Sequence, residues 1–147
     1  MKGEPMKIVS FVVRGEPMGK GRPKFSTRSG FVRAVTPEKT AHYENLVKLE
    51  YQAQCENVYL EGALEAELVA YFSIPKSTSK RNRLLMEEGK ILHTKKCDAD
   101  NVAKIVLDAL NGIAYHDDSQ VSVLTVRKKY GNTPRVEVTI KSLEGCS

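Results

Sequence analysis

Two pairs of aspartates, Asp98/Asp100 and Asp117/Asp118, bracket a stretch that reads as one short helix carrying Lys104 and Asp108. Carboxylates brought together repel one another unless a cation sits among them. The donor types select that cation. Oxygen ligands, with His116 the only His or Cys between Asp98 and Asp118, suit a hard ion such as Mg²⁺, with Mn²⁺ as a substitute. Mg²⁺ takes a few carboxylates, keeps waters and binds substrate phosphate. A lysine beside it stabilises negative charge that develops on a phosphate under attack, and Lys104 is placed for that role.

Asp98 and Asp100 stand two positions apart, so in extended backbone they point to the same side. Asp100 also suits the N-cap of the helix that follows. Within that helix Val102, Ile105, Val106, Ala109 and Leu110 form an apolar stripe, with Asn101, Lys104, Asp108 and Asn111 opposite. Asn111-Gly112 ends it, and Asp117-Asp118 arrive at the mouth of the next strand. This topology can bring Asp118 back beside Asp98 and Asp100. Those three are the candidate metal ligands, with Asp117 next to the last of them. Asp108 lies two turns along from Asp100 and is expected to pair with Lys104, outside the chemistry.

Competing chemistries fit less well. Asp98 to Ala109 is not an EF-hand loop, because Ala103 holds the glycine position and Ala109 that of the closing glutamate. A DxD transferase that binds a nucleotide-sugar through a metal needs a nucleotide-binding βαβ unit, and none is visible. Capping of a helix and a turn accounts for Asp100 or Asp117 taken singly, and poorly for the whole set with Lys104.

The elements that must position these residues follow in chain order. Ile8 to Val13 is a short β-branched run and reads as a strand. Gly15 to Phe25 holds three glycines and two prolines, so a loop is expected there. It carries Lys20, Arg22 and Lys24 at alternate positions with Phe25 beside them. Glycine lets backbone approach a phosphate and the cations neutralise it; a flexible surface loop is the plainer reading. No Walker A motif is present. Phe31 to Val35 is expected to close a hairpin, and Thr36-Pro37 to start a helix running to about Gln54, with Tyr43, Leu46, Val47 and Ala53 inward. Leu64 to Ile74 alternates apolar with polar or intermediate residues, which predicts a long strand with one face on the core. Pro75 ends it. Ser77 can cap a short helix through Glu88, with Gly89 at its C′ position. Lys80, Arg81 and Arg83 stand near that helix start, where the macrodipole disfavours cations, so a phosphate-facing role is expected for some of them. Val121–Lys128 and Arg135–Lys141 read as strands joined by Gly131-Asn132-Thr133-Pro134 into a hairpin. Residues 1–6 and 143–147 are expected to fray.

The totals bound the function class. A chain of 147 residues with 41% hydrophobic composition suggests one domain with one core. No apolar run approaches a membrane span, and the N-terminus lacks the apolar core of a signal peptide, so a cytoplasmic protein is expected. Cys55, Cys97 and Cys146 are scattered and form no CxxC, which argues against a disulfide framework or a zinc site. The net charge is +5, and the excess is concentrated. Residues 1–33 hold eight Lys/Arg against two acids, and residues 76–96 hold seven against two. Two basic stretches suggest a polyanionic partner, most simply nucleic acid; a solvated basic surface is the alternative.

The pattern Asp98-x-Asp100-Asn101-x-x-Lys104-x-x-x-Asp108-x-Leu110-Asn111-Gly112, followed by Asp117-Asp118-x-Gln120, resembles the RusA family of Holliday-junction resolvases. Pro17-x-x-Lys20-x-Arg22-Pro23-Lys24-Phe25 looks like that family's N-terminal basic motif, so the resemblance spans nearly the whole chain. It implies a single small α+β domain over residues 1–147, a mixed β-sheet with about three helices packed on it. It further implies a homodimer that cuts four-way DNA junctions with Mg²⁺ in recombination and repair, in a bacterial or phage-infected cell. By the same resemblance Asp98, Asp100 and Asp118 carry over as metal-binding carboxylates and Lys104 as the essential lysine. One departure is visible: Cys97 stands where the family often has proline. A non-catalytic module binding branched or single-stranded DNA, with a structural acidic cluster, is the competing function.

Overall fold

The cleanest alternation in the sequence becomes the middle of the sheet. The computed structural model describes residues 6–20, 24–26, 33–35 and 38–143. In it Leu64–Ser73 (β4) buries Leu64, Ala66, Leu68, Ala70 and Phe72 on one face. Three other strands complete the sheet: Ile8–Arg14 (β1), Val121–Gly131 (β5) and Arg135–Ser142 (β6), in the order β1-β6-β4-β5. β6 pairs antiparallel with both β1 and β4, while β5 lies parallel to β4, so the sheet is mixed. β6 alternates as read, burying Val136, Val138 and Ile140.

β5 and β6 are therefore not a hairpin, because β4 lies between them. The Asn132–Pro134 link passes over the end of β4, where Ser73 pairs with Gly131 and Tyr71 with Arg135. Skipping one strand means covering about 10 Å, which three residues of extended chain can span. A local turn signal cannot tell that reach from a tight hairpin. Gly131 suits the passage: a Cβ there would meet the Tyr71 ring at 3.1 Å.

The parallel pairing of β4 with β5 forces a long crossover. That crossover, residues 74–120, carries Lys80–Glu87 (α2), Ala99–Ala109 (α3) and a 3₁₀ turn at Asp118–Gln120. All the candidate acidic residues lie in it. Glu38–Cys55 (α1) precedes β4 and packs against β1 and α3. Its inward stripe is Tyr43, Val47, Tyr51 and Cys55, four residues apart. Leu46 and Ala53, expected inward, are exposed, since a stripe stepping by four runs past them on the other side. The α3 stripe is buried as read: Val102, Ile105, Val106, Ala109 and Leu110 are all 0–1% exposed. Large apolar side chains buried that fully contribute roughly 1.5–3 kcal/mol each.

Two short strands, Lys24–Ser26 (β2) and Arg33–Val35 (β3), pair antiparallel. The hairpin closing at Val35 thus forms, and Lys24 and Phe25 belong to a strand where a loop was expected. The Thr36-Pro37 helix start lies outside the described residues. α2 is capped by Ser79 instead of Ser77: the Ser79 hydroxyl accepts from Asn82 N at 3.2 Å. Gly89 takes φ +79°, the left-handed conformation a helix C-terminus favours. At the C-terminal end Leu143 N donates to Ala63 O at 2.9 Å, so Leu143 is tied to the sheet rather than frayed. No helix among the described residues is long and apolar enough to cross a membrane. The architecture is a single small α+β domain with a mixed four-stranded sheet and three helices.

Candidate active site

α3 sets one polar face outward. Asp98 is its N-cap residue, in extended conformation, and among the described residues its side chain makes no capping hydrogen bond. Asp100 is in the first helical turn, so it is not the cap and the pair is not two residues of one strand. Its charge near the helix N-terminus is favourable. Asp98, Asp100 and Lys104 are all exposed, and Lys104 makes no ion pair among the described residues. The Lys96–Cys97 peptide leading into this turn is cis.

The other acidic pair is built by side-chain hydrogen bonds. Asn111 Oδ1 accepts from Asp118 N at 2.8 Å. Gln120 Oε1 accepts from the backbone N of His116 and Asp117, at 2.9 and 3.0 Å. Gln120 Nε2 donates to Gly62 O at 3.0 Å, fastening this turn to the entry of β4. Asp117 closes the capping box, its Oδ2 accepting from Ser119 N at 2.9 Å. Those bonds to Ser119 hold its carboxyl below the ordinary range. Asp117 is thus occupied in shaping the turn that aims Asp118. Beneath them the buried Tyr115 donates its hydroxyl to Leu107 O at 2.6 Å. Burial, then the Asp118, Asp108 and Asp117 charges, raise its phenol well above the usual range.

Asp118 does not come to rest beside Asp98 and Asp100. Asn111, whose Oδ1 holds Asp118 N, donates its own backbone N to Asp108 O at 3.2 Å, so Asp118 sits at the far end of α3, where the Asp108 charge acts on its carboxyl. Eight residues of helix separate Asp108 from Asp100, about 12 Å of axial rise. The acidic residues therefore divide into Asp98/Asp100 at the start of α3 and Asp108/Asp118 two turns on. Among the described residues no three Asp, Glu, His or Cys side chains are grouped to hold a metal ion. Burial raises the Asp118 carboxyl, and the neighbouring Asp108 and Asp117 charges raise it further. A divalent cation relieves that kind of repulsion. In donor type the residues fit a hard cation: Asp98 and Asp100 are exposed carboxylates and Asp117 and Asp118 partly exposed ones, with room for the waters that Mg²⁺ keeps.

Asp108 pairs with Lys20, not with Lys104. Lys20 Nζ lies 3.4 Å from Asp108 Oδ2 and 2.5 Å from Glu44 Oε2 on α1. Burial alone would lower the lysine pKa, but the two carboxylates more than offset it and leave it raised. Of the other cations expected to meet DNA, Lys80 and Arg81 are exposed on the first turn of α2. Arg83 is partly covered and donates to Pro75 O at 3.3 Å. Arg22 and the Lys24 side chain lie outside the described residues. Gln120 stood in the motif without a role and Asn111 only as part of the helix stop; the structure ties both to the turn that carries Asp117 and Asp118. Glu44 carried no sequence signal, being one acid on a helix face whose partner is 24 positions away.

A family model described as Endodeoxyribonuclease RusA matches residues 14–141. The chain belongs to the RusA endodeoxyribonuclease family. The match takes in β4, β5, nearly all of β6 and the whole crossover that carries the acidic residues; of β1 it includes only Arg14. A relative, "Uncharacterized protein YqaN" of Bacillus subtilis (strain 168), is 38% identical over 140 residues, covering 94% of this chain and 99% of its own. The RusA family acts on branched DNA, and nucleases of this kind use a divalent metal.

Proposed function

We propose that this chain is a crossover-junction endodeoxyribonuclease that, as a homodimer, resolves four-way DNA junctions by paired symmetric nicks in recombination and repair. The observation that carries the reading is the RusA match over 14–141, which includes the exposed Asp98/Asp100/Lys104 face and Asp118. Asp98 and Asp100 at the start of α3, and Asp118 with Asp117 as a lesser contributor two turns on, supply carboxylates for Mg²⁺ as two separate groups, one ion or two being compatible with them, and Mn²⁺ can substitute. When bound, the cation supplies water activation and charge neutralisation at the scissile phosphate. Lys104, exposed and without an ion-pair partner among the described residues, directs its ammonium at the phosphate and stabilises the charge of the transition state. Exposed Lys80 and Arg81 contact the DNA backbone, and Arg83, Arg22 and Lys24 are further candidates for it.

Incubation with a synthetic four-way junction tests this. Nicks formed in MgCl₂ and lost in EDTA are expected. Binding without incision over a range of metals would instead indicate a branched-DNA-binding module whose acidic residues are structural.

A further inference from the structure

Segment 17–20 is built onto the start of α3. Gly19 packs so closely there that a Cβ would stand 2.8 Å from Cys97 Cβ and 3.1 Å from Asn101 Cβ. Lys20 N donates to Asn101 O at 3.0 Å. Its side chain then reaches Glu44 on α1 and Asp108 on α3, and is only 21% exposed. Asp108 in turn is linked to Asp118 through Asn111, whose backbone N donates to Asp108 O at 3.2 Å and whose Oδ1 accepts from Asp118 N at 2.8 Å. One ammonium thus joins the loop after β1, α1 and the far end of α3 at the residue linked to Asp118.

Resting on the endonuclease reading, we infer that Lys20 is a positioning residue of the cleavage site, clamped between Glu44 and Asp108 so as to fix Asp108 against Asp118, and not a contact to DNA phosphate. Diverting it to a phosphate would leave two partly covered carboxylates without their counter-charge, and removing one partner of such a set is unfavourable. An exposed cation such as Lys80 meets no such penalty. The clamp also gives Glu44, which lies on a helix outside both basic stretches, a part in cleavage.

Lys20→Met, Lys20→Arg and Glu44→Gln decide it, each measured for junction binding in EDTA across a salt series and for nicking at saturating junction in MgCl₂. Lys20→Met is expected to slow nicking about tenfold or more, as displaced catalytic groups do. Its junction affinity and salt slope should match the wild type. Lys20→Arg, which keeps the charge and both partners in reach, should recover most of the rate. Glu44→Gln should slow nicking several-fold with binding unchanged; it retains Lys20 and weakens only one arm of the clamp, so the inference stays open to refutation even where Lys20→Met misfolds. A Lys20→Met salt slope reduced by about one unit, with nicking intact at saturation, identifies a phosphate contact and overturns the inference. So does a Glu44→Gln protein that nicks like the wild type. A wild-type protein that binds junctions and never nicks them refutes the endonuclease reading instead, and the salt slopes still decide whether Lys20 touches phosphate.

Discussion

At the scale of single residues, the division between binding and cleavage is the sharpest consequence of the site. Asp100 is exposed in the first turn of α3 and supports no packing. Asp100→Asn is therefore expected to fold normally and bind junction DNA with wild-type affinity, yet to lose cleavage by about a hundredfold or more, as loss of a transition-state group does. A gel-shift titration beside a nicking assay checks both halves; loss of binding in this variant would defeat the separation of roles. The residues with chemistry were legible because acids and a lysine at helical spacing are few and local. What joins them was not. Lys104 was the only cation near Asp108 in sequence, but Lys20 reaches Asp108 in space from another part of the chain. A side chain's partner across 88 positions depends on how α1, α3 and the loop after β1 pack, and no local pattern encodes that.

At the scale of elements, α3 is held by its buried stripe, so its polar face is only as well placed as that packing. Ile105 is fully buried. Ile105→Ala is expected to destabilise the fold by about 2–5 kcal/mol, read from urea unfolding. The segment leading into α3 has a second anchor. His93 stacks on Phe72 with centroids 3.6 Å apart and meets Tyr130 edge-on at 5.3 Å, and its Nδ1 is buried without a hydrogen-bond partner among the described residues. Burial, then the Lys128 and Lys95 charges, lower its pKa below the usual 6.5. Between the folded value and 6.5 the unfolded chain binds more protons, so stability rises with pH across that window. It is lost as pH falls below 6.5 toward the folded value. Urea unfolding of the wild type at pH 7.5 and 5.5 should show this loss, and His93→Phe should shrink it; an equal loss in both would remove His93 as its source. This anchor was not legible, since a lone histidine in a basic stretch gives no sign of which aromatic residues it will meet. The cap of α2 was read two residues early because Ser77 and Ser79 offer the same hydroxyl.

At the scale of the whole molecule, the strand and helix order was readable while the sheet order was not. Period-two patterns in β4 and β6 announce strands, but nothing in either says that β4 separates β5 from β6. That single fact makes β4 and β5 parallel neighbours, turns residues 74–120 into a crossover, and places the acidic residues on it. A dimer with two-fold symmetry matches the symmetry of a four-way junction and brings one site to each of two opposing strands. Light scattering on the purified protein should therefore report twice the 16.4 kDa of one chain. A monomer that nicks single strands independently would contradict the paired mechanism. The most direct measurement is strand-resolved incision of a four-way junction, each strand end-labelled in turn, in MgCl₂. The expected result is nicks at symmetric positions in two opposing strands, absent in EDTA and absent for Asp100→Asn. Tight junction binding with no incision in either Mg²⁺ or Mn²⁺ would contradict it.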